Sequence, residues 1–297
     1  MLEAATTSLQ IHLQVSPRQA IRFFNAAQIL SAPMVAVAAN APYLFGKDLW
    51  DDTRIPLFEQ SVEVQGFKDR DHCADTRVTF GRGYARQSLL ECFQENLDCY
   101  PVLLPISLPA EAETLSHLRL HNGTIWRWNR PLIGFSTQGR PHLRIEHRVA
   151  SAGPTIADGV ANIAFFLGMV QVLARQAIAP ESQLDFDQAR RNFYAAAKDG
   201  LRARITWLDG HKGRLDALIL EVLLPMARRG LRELDMEEEI AGYLDAIIEP
   251  RVRRGRNGAG WQRAFVAQHG TDMQALTLAY IAHQRTGVPV HEWPVDE

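Results

Sequence analysis

The sequence is poor in cysteine, nearly balanced in charge, and without an apolar run long enough to cross a bilayer. Its three cysteines, Cys73, Cys92 and Cys99, are odd in number and show no CxxC spacing. A chain of 297 residues needs no disulfide staples, so free, mostly buried thiols in a reducing cytoplasm are expected. A formal net charge of -2 leaves no cationic excess for a nucleic-acid backbone to attract, which argues against a nucleic-acid binder. The N-terminus has neither the basic region nor the apolar region of a secretory signal. The most apolar stretch, residues 160–173, is interrupted by Asn162 and Gln171 and is too short to span a membrane. It reads as a buried helix.

Motifs are scarce as well. His211, His269, His283 and His291 stand singly, without the spacing of zinc ligands. The run from Arg251 to Arg256, followed by Asn257-Gly-Ala-Gly260, lacks the P-loop pattern and follows no strand. It is expected to be a solvated loop or a cationic helix end. Cys92 and Cys99, near His72 and His121, show no obvious catalytic acid partner, so packing is expected of them rather than nucleophilic chemistry. Trp126 and Trp128, two apart on a strand, read as core or edge packing. Glu237-Glu238-Glu239 reads as a solvated helix start.

What is present is a globular composition, 46% hydrophobic and 22% charged. Residues 8–15 alternate, with Leu9, Ile11, Leu13 and Val15 on one face and Gln10, His12 and Gln14 on the other. Residues 142–150 repeat the pattern: Leu143, Ile145, His147 and Val149 share one face, and His142, Arg144, Glu146 and Arg148 the other. A helix is predicted over 18–39 after Ser16-Pro17, with shorter helices over 83–97 and 112–119 and, within the aromatic and basic segment 122–135, a strand or strand edge up to Arg130-Pro131. Beyond Gly153-Pro154 the spacing predicts helices over 156–174, 186–199, 212–228, 236–248 and 272–286. The fold class is therefore α+β, a sheet-bearing half (1–150) and a helical half (151–297) of one domain. Residues 41–80 are irregular, and so long a loop in a compact domain suggests function.

Paired in one antiparallel sheet, the two alternating strands turn Gln10, His12, Arg144, Glu146 and Arg148 toward one cavity. Guanidinium forks match phosphate and carboxylate oxygens, and a carboxylate with an amide oxygen suits Mg²⁺. Phosphoryl transfer asks for that combination. The same pattern equally fits a water-facing sheet with a cross-strand salt ladder, and spacing alone does not choose between the two.

The segment Pro141-His-Leu-Arg-Ile-Glu-His-Arg-Val-Ala-Ser-Ala-Gly-Pro154 resembles the hydrophobic-Glu-x-Arg strand of the glutamate–cysteine ligase family, including the Gly-Pro turn that follows it. Ser8-Leu-Gln-Ile-His-Leu-Gln-Val15 is similar to a second family strand. The segments 39–47 and Asp52-Thr-Arg-Ile-Pro-Leu-Phe58 resemble the family's substrate loop, and Trp128-Asn-Arg-Pro131 an element of the bacterial second family. Four segments in the right order span residues 4 to about 175.

The resemblance implies a glutamine synthetase-like fold with a curved antiparallel sheet. It also implies ATP-dependent phosphorylation of the glutamate γ-carboxylate, followed by attack of an amine, cysteine's in the family. By the same resemblance Glu146 and Gln10 hold Mg²⁺, Arg148 contacts ATP phosphates with Arg144 beside it, and Arg54 grips the glutamate carboxylate. His12 and Arg130 become further substrate contacts. The family also has an earlier Glu-x-Glu strand, for which this sequence shows no counterpart. The expectation is a chain truncated at its N-terminus, with weak activity or none, or one whose missing strands come from a partner or a second copy. A binding or assembly role, or another amine acceptor, stays open beside glutamate–cysteine ligation.

Overall fold

The computed structural model describes residues 2–62 and 76–295. Cys73 and His72 fall outside them. The two alternating segments are neighbours in one sheet, as their patterning predicts. Strand β1 (Ile11–Val15) and strand β2 (Asn129–Phe135) flank a central strand β3 (Pro141–His147), all antiparallel. Pairing of β1 with β3 continues past both strand ends through Leu9 N–H to the Ala150 carbonyl at 3.0 Å and a bridge between Ser8 and Ser151. The apolar face follows from the two-residue period: Ile11, Val15, Ile145 and Val149 are all buried. His147 shares that face, fully buried and stacked on Phe166 with ring centroids 4.2 Å apart.

Beneath the sheet lie helices α1 (Ala20–Ile29) and α2 (Ser31–Ala38), a pair bent by 49° where one continuous helix is predicted. Pro33 explains the break, because it has no N–H to donate to the preceding turn. Helix α3 (Arg54–Ser61) rises out of the segment expected to be irregular. Helices α4 (Leu90–Cys99) and α5 (Ser116–Gly123) start later than the spacing predicts. Helix α6 (Ile156–Leu173) is apolar enough to resemble a membrane span, but it is mostly buried and serves as the core helix. Its start is fixed by Thr155, whose Oγ1 accepts from the Asp158 N–H at 3.1 Å and donates to the Asp158 carboxylate at 2.8 Å.

Helix α7 (Phe186–Asp199) matches its predicted span. Helix α8 (Leu224–Glu233) crosses α6 with backbones in contact. A Cβ on Gly168 would stand 2.2 Å from the Ala227 carbonyl oxygen, and one on Gly230 would stand 1.8 Å from that of Gly168. Only glycine at both places permits that approach. Helices α9 (Gly258–His269) and α10 (Met273–Thr286) pack with Val290 and Trp293 in a second, smaller core. The main core draws on both halves, from Ile11 to Val252.

One expectation is decided between its two readings and one changes. Residues 251–260 begin as the cationic helix end, with Arg251 and Arg253 in the last turn of a helix over Glu249–Arg253. Arg251 is 1% exposed, and Asn257 caps α9 by accepting from the Gly260 N–H at 2.9 Å. Cys92 is free and buried as expected, but Cys99 is disulfide-bonded. Proximity in the fold decides that bond, and the spacing of cysteines in sequence does not show it.

Candidate active site

Register brings the polar face together. Glu146 on the central strand stands directly opposite His12 on one side and Arg130 on the other. Arg148 leaves the strand two residues later on the same face, its N–H bonded to the Trp128 carbonyl at 3.1 Å. Arg130 Nε donates to Glu146 Oε2 at 2.9 Å and its Nη2 reaches Oε1 at 3.4 Å. Arg148 donates to the same Oε2 through Nε at 3.1 Å and through a short contact from Nη2. His12 Nε2 lies 3.5 Å from Oε1. Arg130 is steadied in turn by longer contacts, 3.4–3.5 Å, to the carbonyls of Asn122, Gly123 and Ile125. Two cations therefore enclose one carboxylate that is 2% exposed.

Burial alone would push the Glu146 carboxyl upward, but Arg148 and Arg130 outweigh it and hold the group below its ordinary range. For Arg148, burial and the neighbouring Arg130 both weaken the charged form, against the pull of Glu146. Burial also lowers the His12 pKa. Glu146 opposes that shift, and Arg144, Arg130 and Arg148 reinforce it. His12 is consequently a neutral imidazole near neutral pH, and the net charge of the cluster is positive.

Above the cluster is a cleft of about 430 Å³ lined by Arg130, Arg148, Gln10, Phe58 and Trp126, with Glu3 and residues 6–8 at its edge. Phe58 packs edge-on against Trp126 and Trp128, at 6.3 and 5.8 Å. Arg144 sits one step along the same face, opposite Gln14 and Leu132. It lies over Gly134, where a Cβ would come within 3.2 Å of Arg144 Nη2 and 2.5 Å of His142 Nε2. The structure thus gathers Arg130, Glu146, Arg148 and His12 into one cluster, sets Gln10 on the cleft beside it, and places Arg144 on the adjoining row.

Arg54 is not among the residues that line the cleft and is 3% exposed. Its Nε donates to Ser151 Oγ at 3.1 Å, its Nη2 makes a short contact with the Val149 carbonyl, and its guanidinium carbon stands 5.4 Å from the Trp128 ring. Ser151 Oγ also reaches both oxygens of Asp52, at 3.0 and 2.9 Å. Burial pushes the Asp52 carboxyl up to about 6 despite Arg54 and Ser151. Trp128 Nε1 donates to Glu59 Oε1 at 3.1 Å, and the Tyr194 hydroxyl donates to the same oxygen at 2.6 Å. Ser151 and Tyr194 come from segments far in sequence from Asp52 and Glu59, so no sequence pattern announces this network.

The oxygens of Glu146 do not fit a dedicated Mg²⁺ site. Each already faces a guanidinium, and among the described residues no group of three or more His, Cys, Asp or Glu is placed to hold a metal. A hard cation asks for several free oxygens. Each like-charge pair of unit charges 4 Å apart costs about 4 kcal/mol in a partly buried setting.

Guanidinium groups lining a cleft can hold an oxyanion and steady the charge that develops on it. No curated protein matches the chain. A family model, glutamate–cysteine ligase family 2, matches residues 1–278. With its Glu-x-Arg strand at the centre of the sheet, the chain belongs to the glutamate–cysteine ligase family 2.

Proposed function

We propose that this ligase-family chain makes a γ-glutamyl amide at the expense of ATP. The observation that carries the proposal is the Arg130–Glu146–Arg148 cluster opening on a cleft in a member of this family. In the proposed reaction an oxygen of the glutamate γ-carboxylate attacks the terminal phosphorus of ATP, and ADP leaves. The amine nitrogen of cysteine, or of another acceptor, then attacks the acyl carbon. Inorganic phosphate departs, and the amine gives up a proton.

Little covalent work falls to the protein in such a transfer; positioning and charge stabilisation supply the rate. Arg148 and Arg130 take the phosphate charge, with Arg144 on the next row. The neutral His12 beside Glu146 suits contact with the acidic substrate. Arg54 supports the backbone that carries Arg148 through its bonds to Val149 and Ser151. The three substrates, ATP, glutamate and the amine, are all small molecules, and the proposed setting is the cytoplasm.

A second reading, nucleotide or substrate binding without turnover and an assembly role, is favoured by the engagement of both Glu146 oxygens. ADP release from purified protein with ATP, Mg²⁺ and glutamate separates the two. Release stimulated by cysteine supports ligation. Nucleotide binding without any release supports the second reading.

A further inference from the structure

We infer that Arg130, Glu146 and Arg148 form an oxyanion clamp that works without a protein-bound divalent cation. Glu146 is then a positioning residue for the two guanidiniums and not a metal ligand. The inference rests on the assignment of the cleft above, but on its geometry and not on turnover. A carboxylate able to ligate a metal presents free lone pairs. Glu146 presents Oε2 to Arg130 Nε at 2.9 Å and to Arg148 Nε at 3.1 Å, and Oε1 to Arg130 Nη2 at 3.4 Å and His12 Nε2 at 3.5 Å.

Freeing those oxygens for a metal would break charge-assisted bonds and leave two guanidiniums without their counter-ion. Left in place, one carboxylate between two cations leaves an excess of positive charge beside the cleft. Arg130 and Arg148 both line that cleft, and the hydroxyl-bearing residues Thr6, Thr7 and Ser8 stand at its edge. Glu3 is the one carboxylate among the lining residues, and it is exposed. The chemistry that fits is a phosphate or carboxylate group, held by charge and by forked donors.

The test is calorimetric titration of the full chain in EDTA with inorganic pyrophosphate and, separately, with glutamate, each repeated in Mg²⁺. Binding of either probe in EDTA is expected, and which of the two binds identifies the group the clamp takes. Arg148→Gln is expected to lose about tenfold or more in EDTA, and Glu146→Gln, which frees both guanidiniums from the partner that positions them, a smaller but measurable share of the same affinity. Binding that appears only with Mg²⁺ overturns the inference, and so does a folded Glu146→Gln variant that loses affinity in Mg²⁺ but not in EDTA. If that variant melts below the assay temperature, the wild-type comparison of EDTA with Mg²⁺ decides alone. Failure of ligase turnover leaves the readout untouched, because no step of the titration requires catalysis.

Discussion

Two buried clusters in this molecule use the same pair of groups to different ends. In the first, Arg130 and Arg148 share one carboxylate at the edge of a cleft. In the second, Arg251 meets Asp158 at 2.7 Å and Asn162 at 2.6 Å, with side-chain exposures of 2% and 0% for the ion pair. Asp158 also accepts from the Thr155 hydroxyl and from the Val290 N–H, so it ties the start of α6 to the C-terminal segment. The sealed pair is matched one to one and has no face left for a ligand. The cleft cluster has one cation too many for its own needs, and that surplus is what a substrate oxyanion answers. Burial alone does not mark a site. Stoichiometry together with access does.

The largest expected effect breaks the sealed pair. Arg251→Ala leaves Asp158 buried without its counter-ion and should cost about 3–5 kcal/mol. A thermal melt reads that loss, while pyrophosphate affinity below the melt stays unchanged. Arg148→Gln should do the reverse, lowering ADP release about 100-fold or more with a smaller change in the melt. If the two variants show the same profile, the distinction between the clusters fails. Gly168→Val should cost about 1–3 kcal/mol or more in chemical denaturation, because the new side chain meets the α8 backbone.

The smallest effect is a pH slope. Burial lowers the His147 pKa from 6.5 to about 3. Its Nδ1 lies 2.7 Å from Asn129 Oδ1, and its Nε2 has no hydrogen-bond partner among the described residues. Between those values the folded state binds fewer protons than the unfolded chain, so stability is present above 6.5 and falls as pH drops toward 3. At pH 5 the loss is about 2 kcal/mol. His147→Gln should flatten the dependence of the melting temperature on pH between 6.5 and 5. An unchanged slope would show that His147 is not its source.

How much of this was legible beforehand depends on whether a feature is periodic or emergent. Alternation in residues 8–15 and 142–150 announced two strands and their polar face, because a two-residue period sorts side chains directly. Family resemblance pointed to Arg130, but pairing of β2 with β3 was needed to set it against Glu146. Expecting Glu146 to hold a metal came from the motif, and the guanidiniums that occupy its oxygens belong to two strands joined only in the fold. The cationic helix end at Arg251 and Arg253 was legible, but the burial of Arg251 against Asp158 was not, and Gly258 is demanded by close packing. A Cβ there would lie 1.9 Å from Asn40 Oδ1. Asn257 ahead of Gly258 was a readable helix cap that the glycines obscured. The π-helical turns at Ile219–Leu223 and Leu244–Ile248 had no sequence signal to reveal them.

The most direct test of the central claim is ADP release by the wild-type chain and Arg148→Gln, assayed side by side with ATP, Mg²⁺ and glutamate, with and without cysteine. Cysteine-stimulated release by the wild type that collapses in the variant is the predicted result. Equal release by the two proteins, or none from a wild type that is folded and binds nucleotide, would contradict catalysis at the Arg130–Glu146–Arg148 cleft.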